Sequence, residues 1–136
     1  MGKKIERLVQ QFSDRLGITQ NIRVSIEPGN VRLASAESTP GENNKYRMSF
    51  NEDFLRNLNE AELGAAVAHE MGHVWIYTHF PYLQTESLAN RQALKLVPRE
   101  ALERVYQKVR KWNGVEGPPL DLPRDPRVGD SRQGMK

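Results

Sequence analysis

His69, Glu70 and His73 hold most of the chemistry this chain can do, and their spacing is the reason. Two histidines at i and i+4 of a helix stand about 40° apart around its axis and one turn apart along it, so both imidazoles can reach one ion. Zinc suits such a pair. It takes nitrogen and oxygen donors in a roughly tetrahedral set and keeps one position open for water when it is catalytic. Glu70 can reach that water and take its proton, because zinc lowers the pKa of bound water toward about 7. The chain has only three histidines, and two of them fall at this spacing around a glutamate within a strongly helical segment. One Zn2+ per chain is the expected cofactor.

A third protein donor is needed, and two residues compete for the role. His79 lies ten residues after His69, so residues 69–79 match the metzincin spacing HExxHxxGxxH at every position except Ile76, where that family has glycine. Glycine there ends the helix and turns the third histidine back toward the metal. A β-branched isoleucine disfavours that turn. If the helix continues, His79 sits about 80° around the axis from His69. The other candidate is Glu86, which shares a helix face with Asn90. Glu86 offers a carboxylate oxygen to zinc, and Asn90 can accept a hydrogen bond from the far ring nitrogen of a ligating histidine, fixing its tautomer. Ala89 and Ala93, with Gly72 opposite, let the two helices approach closely. Tyr77, His79, Tyr82 and Tyr106 are all possible donors to a tetrahedral oxyanion, and the sequence does not choose among them. Trp75 reads as core.

The elements that must position these residues follow from periodicity. Ile5, Leu8, Val9, Phe12 and Leu16 recur at helical spacing, and Gly17 stops that helix. Three short strands are expected at residues 22–26, 31–34 and 46–50, separated by the turns Pro28-Gly29-Asn30 and Pro40-Gly41 with Asn43-Asn44. Asn59 with Glu62 forms a capping-box signal for a helix that carries the histidines and ends near Phe80, before Pro81. A further helix is expected from about Leu83 to Val97. After Pro98 the stripe Leu102, Val105, Val109 and Trp112 marks a last helix, ended by Asn113-Gly114. The strand 46–50, just upstream of the histidine helix, is the expected sheet edge that pairs with an extended peptide.

The pattern from His69 to His73, followed by Glu86-x-x-Ala89-Asn90 on the next helix, resembles the gluzincin metallopeptidases, and the small size resembles the minigluzincins. Residues 67–75, preceded by 59–63, are similar to the HtpX-type membrane-anchored endopeptidases, without their membrane helices. Residues 86–98 are similar to soluble peptidases that cleave phage-type repressors. The resemblance covers roughly residues 45 to 98. It implies an α+β, zincin-like fold: a small mixed sheet packed on the active-site helix, with flanking helices. It also implies zinc ligation by His69, His73 and Glu86, general base and acid chemistry at Glu70, and support from Asn90.

Bulk properties set the remaining bounds. With 136 residues the chain suits one domain, expected over 1–113. Residues 114–136 hold four prolines and several glycines and are expected as a tail that is flexible or lies over the cleft. The absence of cysteine excludes disulfides and thiolate ligands. The net charge of +3 is mild and its basic residues are spread along the chain, which argues against nucleic acid as a partner. Arg104, Lys108, Arg110 and Lys111 read as a solvated helix face. Apolar stretches are too short to span a membrane, and a cytoplasmic location is expected. The expected function is peptide-bond hydrolysis by a zinc-bound water that Glu70 activates, with a peptide or protein as substrate. The alternative is a latent or regulatory zinc-binding module of little turnover, self-inhibited by its C-terminal tail. Oligomeric state is left open.

Overall fold

A computed structural model of the chain describes residues 2–29, 32–39 and 45–114. Of the tail expected over 114–136, all but Gly114 lies outside the described residues, as do Met1, Asn30 and Val31 and the turn residues 40–44.

The first helix, α1 (Gly2–Leu16), buries Ile5, Val9 and Phe12 and ends at Gly17, whose φ of 72° is one that side-chain-bearing residues rarely adopt. Three strands follow: β1 (Asn21–Glu27), β2 (Ala34–Ser38) and β3 (Lys45–Asn51). They form one mixed sheet in the order β1-β3-β2, parallel between β1 and β3 and antiparallel between β2 and β3. Ile22, Val24 and Ile26 stand in register with Tyr46, Met48 and Phe50, and Ala34 and Ala36 with Phe50 and Met48. This apolar face packs against the helices, and the opposite face carries Arg23, Ser25 and Glu27 beside Arg47, Ser49 and Asn51.

Two expectations about the sheet are corrected. The middle strand is β2 at Ala34–Ser38 rather than 31–34, because its register is set by pairing with β3 and its core-facing residues are alanines that give only a weak alternation signal. The strand 46–50 is central, not an edge: β1 takes one side of β3 and β2 the other. The edges are β1 and β2. Helix α3 packs against β2, and the small Ala34 and Ala36 face that contact.

After β3, Asn51 caps a four-residue helix, α2 (Glu52–Leu55), by accepting from Phe54 N at 2.9 Å, an element too short for periodicity to reveal. Helix α3 (Glu60–His79) then starts at Asn59 with the expected capping box: Asn59 Oδ1 accepts from Glu62 N at 2.8 Å and Glu62 Oε1 from Asn59 N at 2.9 Å. It ends at Phe80, ahead of a 3-10 turn over Pro81–Leu83. The helix expected from Leu83 to Val97 is shorter. Gln84 and Thr85 are extended, and the Thr85 hydroxyl accepts from Leu88 N, so α4 (Glu86–Ala93) begins at Glu86. Residues 94–97 close with turn hydrogen bonds. Arg15 donates to two of their carbonyls, Lys95 O at 2.6 Å and Leu96 O at 3.2 Å. Helix α5 (Arg99–Asn113) buries Ala101 and Leu102 against α3 and ends at Gly114, φ 65°. None of the described helices is long and apolar enough to cross a membrane.

Candidate metal centre

Helix α3 is buried on most sides, and His69 and His73 lie on the side that α4 covers, their rings 4.9 Å apart and edge-to-face. Gly72 lets α4 come this close. A Cβ at that position would stand 2.3 Å from Ala89 O and 2.9 Å from Ala89 C and Cα. Backbone therefore meets backbone at this crossing, and the fully buried Ala89 and Ala93 keep the α4 side equally thin. This approach brings residues 86 and 90 to the histidines.

Glu86 is the first residue of α4, where the helix dipole favours a carboxylate. Its Oε1 lies 2.8 Å from His69 Nε2 and its Oε2 3.5 Å from His73 Nε2. One donor atom from each of His69, His73 and Glu86 falls within a 4.8 Å set. Both other ring nitrogens are turned away and held. His69 Nδ1 lies 2.7 Å from Asn90 Oδ1, and His73 Nδ1 lies 2.7 Å from Gln84 Oε1. Gln84 Nε2 also donates to the His73 carbonyl at 3.0 Å. Glu70 is buried beside the group, only 6% exposed.

The electrostatics follow from burial and from one shared carboxylate. Burial alone would lower the basicity of His69. The hydrogen bond to Glu86, the charges of Glu70 and Glu86 and the contact with Asn90 outweigh it and raise the pKa to about 9. His73 is raised for similar reasons, with Gln84 contributing. Glu86 is held far below the usual carboxylate range, first by the hydrogen bond from His69 and then by that from His73. Glu70 goes the other way. Burial pushes its carboxyl up, and the opposing charges of His69, His73 and Arg32 do not cancel that.

This donor set fits a metal ion. Two imidazole nitrogens and a carboxylate oxygen converge, and each ring's second nitrogen already has an oxygen partner, the arrangement that holds ligating histidines in place. His69 Nε2 and Glu86 Oε1 face each other directly at 2.8 Å, and a cation bound by both would take the place of the hydrogen bond between them.

The other singled-out residues lie elsewhere. Helix α3 continues through the fully buried Ile76, so His79 is not carried to the group. Its ring stacks on Trp75 at 4.2 Å, with Nδ1 2.9 Å from Trp75 O. Trp75 is half-buried against the core with Lys95 Nζ over its ring. Tyr77 packs on Tyr46, Tyr82 is 80% exposed, and Tyr106 lies under Arg110 on α5. Lys108 and Arg104 reach inward to Glu62 instead of forming a free basic face. Sequence reasoning missed Gln84. A signal existed: with α3 stopped by Pro81 and α4 starting at Glu86, the residues just before Glu86 must pass the last turns of α3, next to His73.

No family model matches the chain. The uncharacterized protein aq_aa15 of Aquifex aeolicus (strain VF5) is 25% identical over 122 residues, covering 90% of this chain and all of that one. Two solved structures are similar in fold. The metallopeptidase zymogen of Pyrococcus abyssi abylysin has a TM-score of 0.56 at 21% identity, over 79% of this chain and 93% of that one. The metallopeptidase zymogen of Methanocaldococcus jannaschii jannalysin has a TM-score of 0.56 at 17% identity, over 80% and 96%. These likenesses identify the α+β arrangement as zincin-like.

Proposed function

We propose that this chain is a zinc-dependent metallopeptidase of gluzincin type, with His69, His73 and Glu86 as metal ligands, Asn90 orienting His69 and Glu70 as general base and acid. The observation that carries the reading is the convergence of the two Nε2 atoms and the Glu86 carboxylate while both Nδ1 atoms are anchored elsewhere. His69, His73 and Glu86 would hold the ion, which would supply Lewis acidity toward a carbonyl and lower the pKa of a bound water toward about 7. Glu70 does the proton work. Its buried carboxyl is more basic than a solvated one, which suits it to accept a proton from water and return it to the leaving amine. An extended peptide would add to the edge strand β2, which α3 packs against and which follows Arg32, whose charge acts on Glu70.

The first test is zinc stoichiometry by elemental analysis on wild type and Glu86→Ala purified side by side. One zinc per chain, falling sharply in the variant, is expected. Equal zinc in both would remove Glu86 as the third ligand and overturn the gluzincin reading. No zinc in the wild type, even after reconstitution, would sink the proposal.

A second reading keeps the metal and lowers turnover: a single unit over 1–113 whose tail, 114–136, restrains the site. Its support is that the two solved structures named above are zymogens. A chain ending at Gly114 that hydrolyses generic peptides faster than the full chain is the expected result. Equal rates would remove the tail from the account.

A further inference from the structure

Gln84 makes two hydrogen bonds to one residue, and together they decide the state of that residue's ring. The His73 carbonyl can only accept, so the amide nitrogen of Gln84, 3.0 Å away, must point to it. That fixes the amide's orientation and leaves Oε1 facing His73 Nδ1 at 2.7 Å. An oxygen acceptor at that distance requires the ring hydrogen on Nδ1. A neutral imidazole with hydrogen on Nδ1 has its lone pair on Nε2, the nitrogen turned toward Glu86. A lone contact to an amide leaves its two ends interchangeable, whereas this pair of bonds does not.

The same side chain ties down a segment whose apolar side chains are largely exposed. Phe80, Tyr82 and Leu83, the residues leading to Gln84, are 42%, 80% and 46% exposed, so apolar packing of the link between α3 and α4 is slight beyond the contact of Phe80 with Trp75 and His79. Gln84 itself is half-buried and extended, and Thr85 then caps the helix that opens with Glu86. One amide thus fixes the ring of one donor and the approach of the chain to another.

We propose that Gln84 is a positioning residue for the metal centre: its amide holds His73 in the Nδ1–H tautomer and in the rotation that presents Nε2 to the ion. The inference rests on the metal reading given above, and the test separates the two. Zinc affinity is measured by chelator competition, and the site geometry by the electronic spectrum of the Co2+-substituted protein, for wild type, Gln84→Met and Gln84→Glu. Methionine matches the length of glutamine and makes neither bond. Glutamate accepts from Nδ1 but cannot donate to the carbonyl. Gln84→Met is expected to lose about 10–100-fold in zinc affinity and to change the cobalt spectrum. Gln84→Glu is expected to recover most of the affinity and the wild-type spectrum.

Wild-type affinity and spectrum in Gln84→Met would overturn this inference alone. Equal losses in both variants would also overturn it, because the carbonyl tether and not the tautomer would then be what matters. A wild type that binds neither ion would remove the metal reading and this inference together. Nitrogen NMR of zinc-loaded, histidine-labelled wild type needs no variant: His73 protonated at Nδ1 is expected, and a proton on Nε2 would refute the assignment.

Discussion

Helix α3 carries a Glu-x-Gly triplet twice, eight residues apart: Glu62-Leu63-Gly64 and Glu70-Met71-Gly72. The two glutamates are almost equally hidden, 3% and 6% exposed, yet their surroundings make them opposites. Glu62 is fully provided for. It accepts from the Asn59 backbone and from Lys108 Nζ at 2.7 Å, and Arg104 lies 3.5 Å away. Burial works to raise its carboxyl, but these partners prevail and hold it below its ordinary value. Glu70 forms no ion pair among the described residues, and burial pushes it up. The glycines differ in the same way. A Cβ on Gly64 would meet nothing within 4 Å, while one on Gly72 would run into the backbone of α4. One copy of the triplet builds the fold, and the other leaves a carboxylate and a helix surface available for chemistry.

Four substitutions and a titration test that contrast. The largest effect is expected from Glu70→Gln, which should cut peptide hydrolysis by about 10²–10⁴-fold while zinc content holds. Loss of zinc along with activity would make Glu70 a structural partner of the site. Gly72→Ala comes next. It must push α4 away from α3, at about 1–3 kcal/mol in denaturant titration, and lower zinc affinity by shifting Glu86. Glu62→Gln should destabilise by about 2 kcal/mol, the scale of hydrogen bonds to a charged group, and leave metal binding intact. Glu70→Gln in chelator-treated protein should do the reverse and raise stability at neutral pH, because it removes a buried charge. The smallest effect is that of Gly64→Ala, a gain of up to about 1 kcal/mol from helix propensity in open space.

The pH profile sharpens the same opposition. The folded pKa of Glu62 lies below 4.5, so its contribution is complete above pH 4.5 and is lost as pH falls through the folded value. The folded pKa of Glu70 lies above 4.5, so its contribution is complete below pH 4.5 and is lost as pH rises through the folded value. In chelator-treated protein, Glu62→Gln should therefore flatten the acid side of the stability curve, and Glu70→Gln should flatten the side above pH 4.5. Identical curves for the two variants would erase the distinction.

How much of this the sequence discloses depends on how local the geometry is. Helical spacing converts directly into position, so the meeting of His69 with His73 and the shared face of Glu86 and Asn90 are readable at once. So is the close approach at Gly72 and Ala89, because small residues on two facing helices admit one arrangement more readily than others. For the two glutamates the sequence gives part of the difference, a capping box at Glu62 and flanking histidines at Glu70, but not the ion pairs of Glu62 with Lys108 and Arg104, which come from a distant helix. Strand order is equally hidden. Nothing in residues 45–51 says whether β1 or β2 will flank them on one side or both. Gln84 lies on a link with no period to place it, and a glutamine there gives no hint that both ends of its amide are in use.

The parallel pairing of β1 with β3 has a consequence for how the chain is made. On the ribosome β1 emerges first, but the strand it pairs with is complete only when Asn51 has followed. At synthesis rates of about 5–20 residues per second, that wait is on the order of seconds. During it, β2 offers no help, since it bonds only to β3. In that interval β1 has α1 for cover and no strand neighbour, so Ile22, Val24 and Ile26 wait for Tyr46, Met48 and Phe50 with their strand edges unpaired.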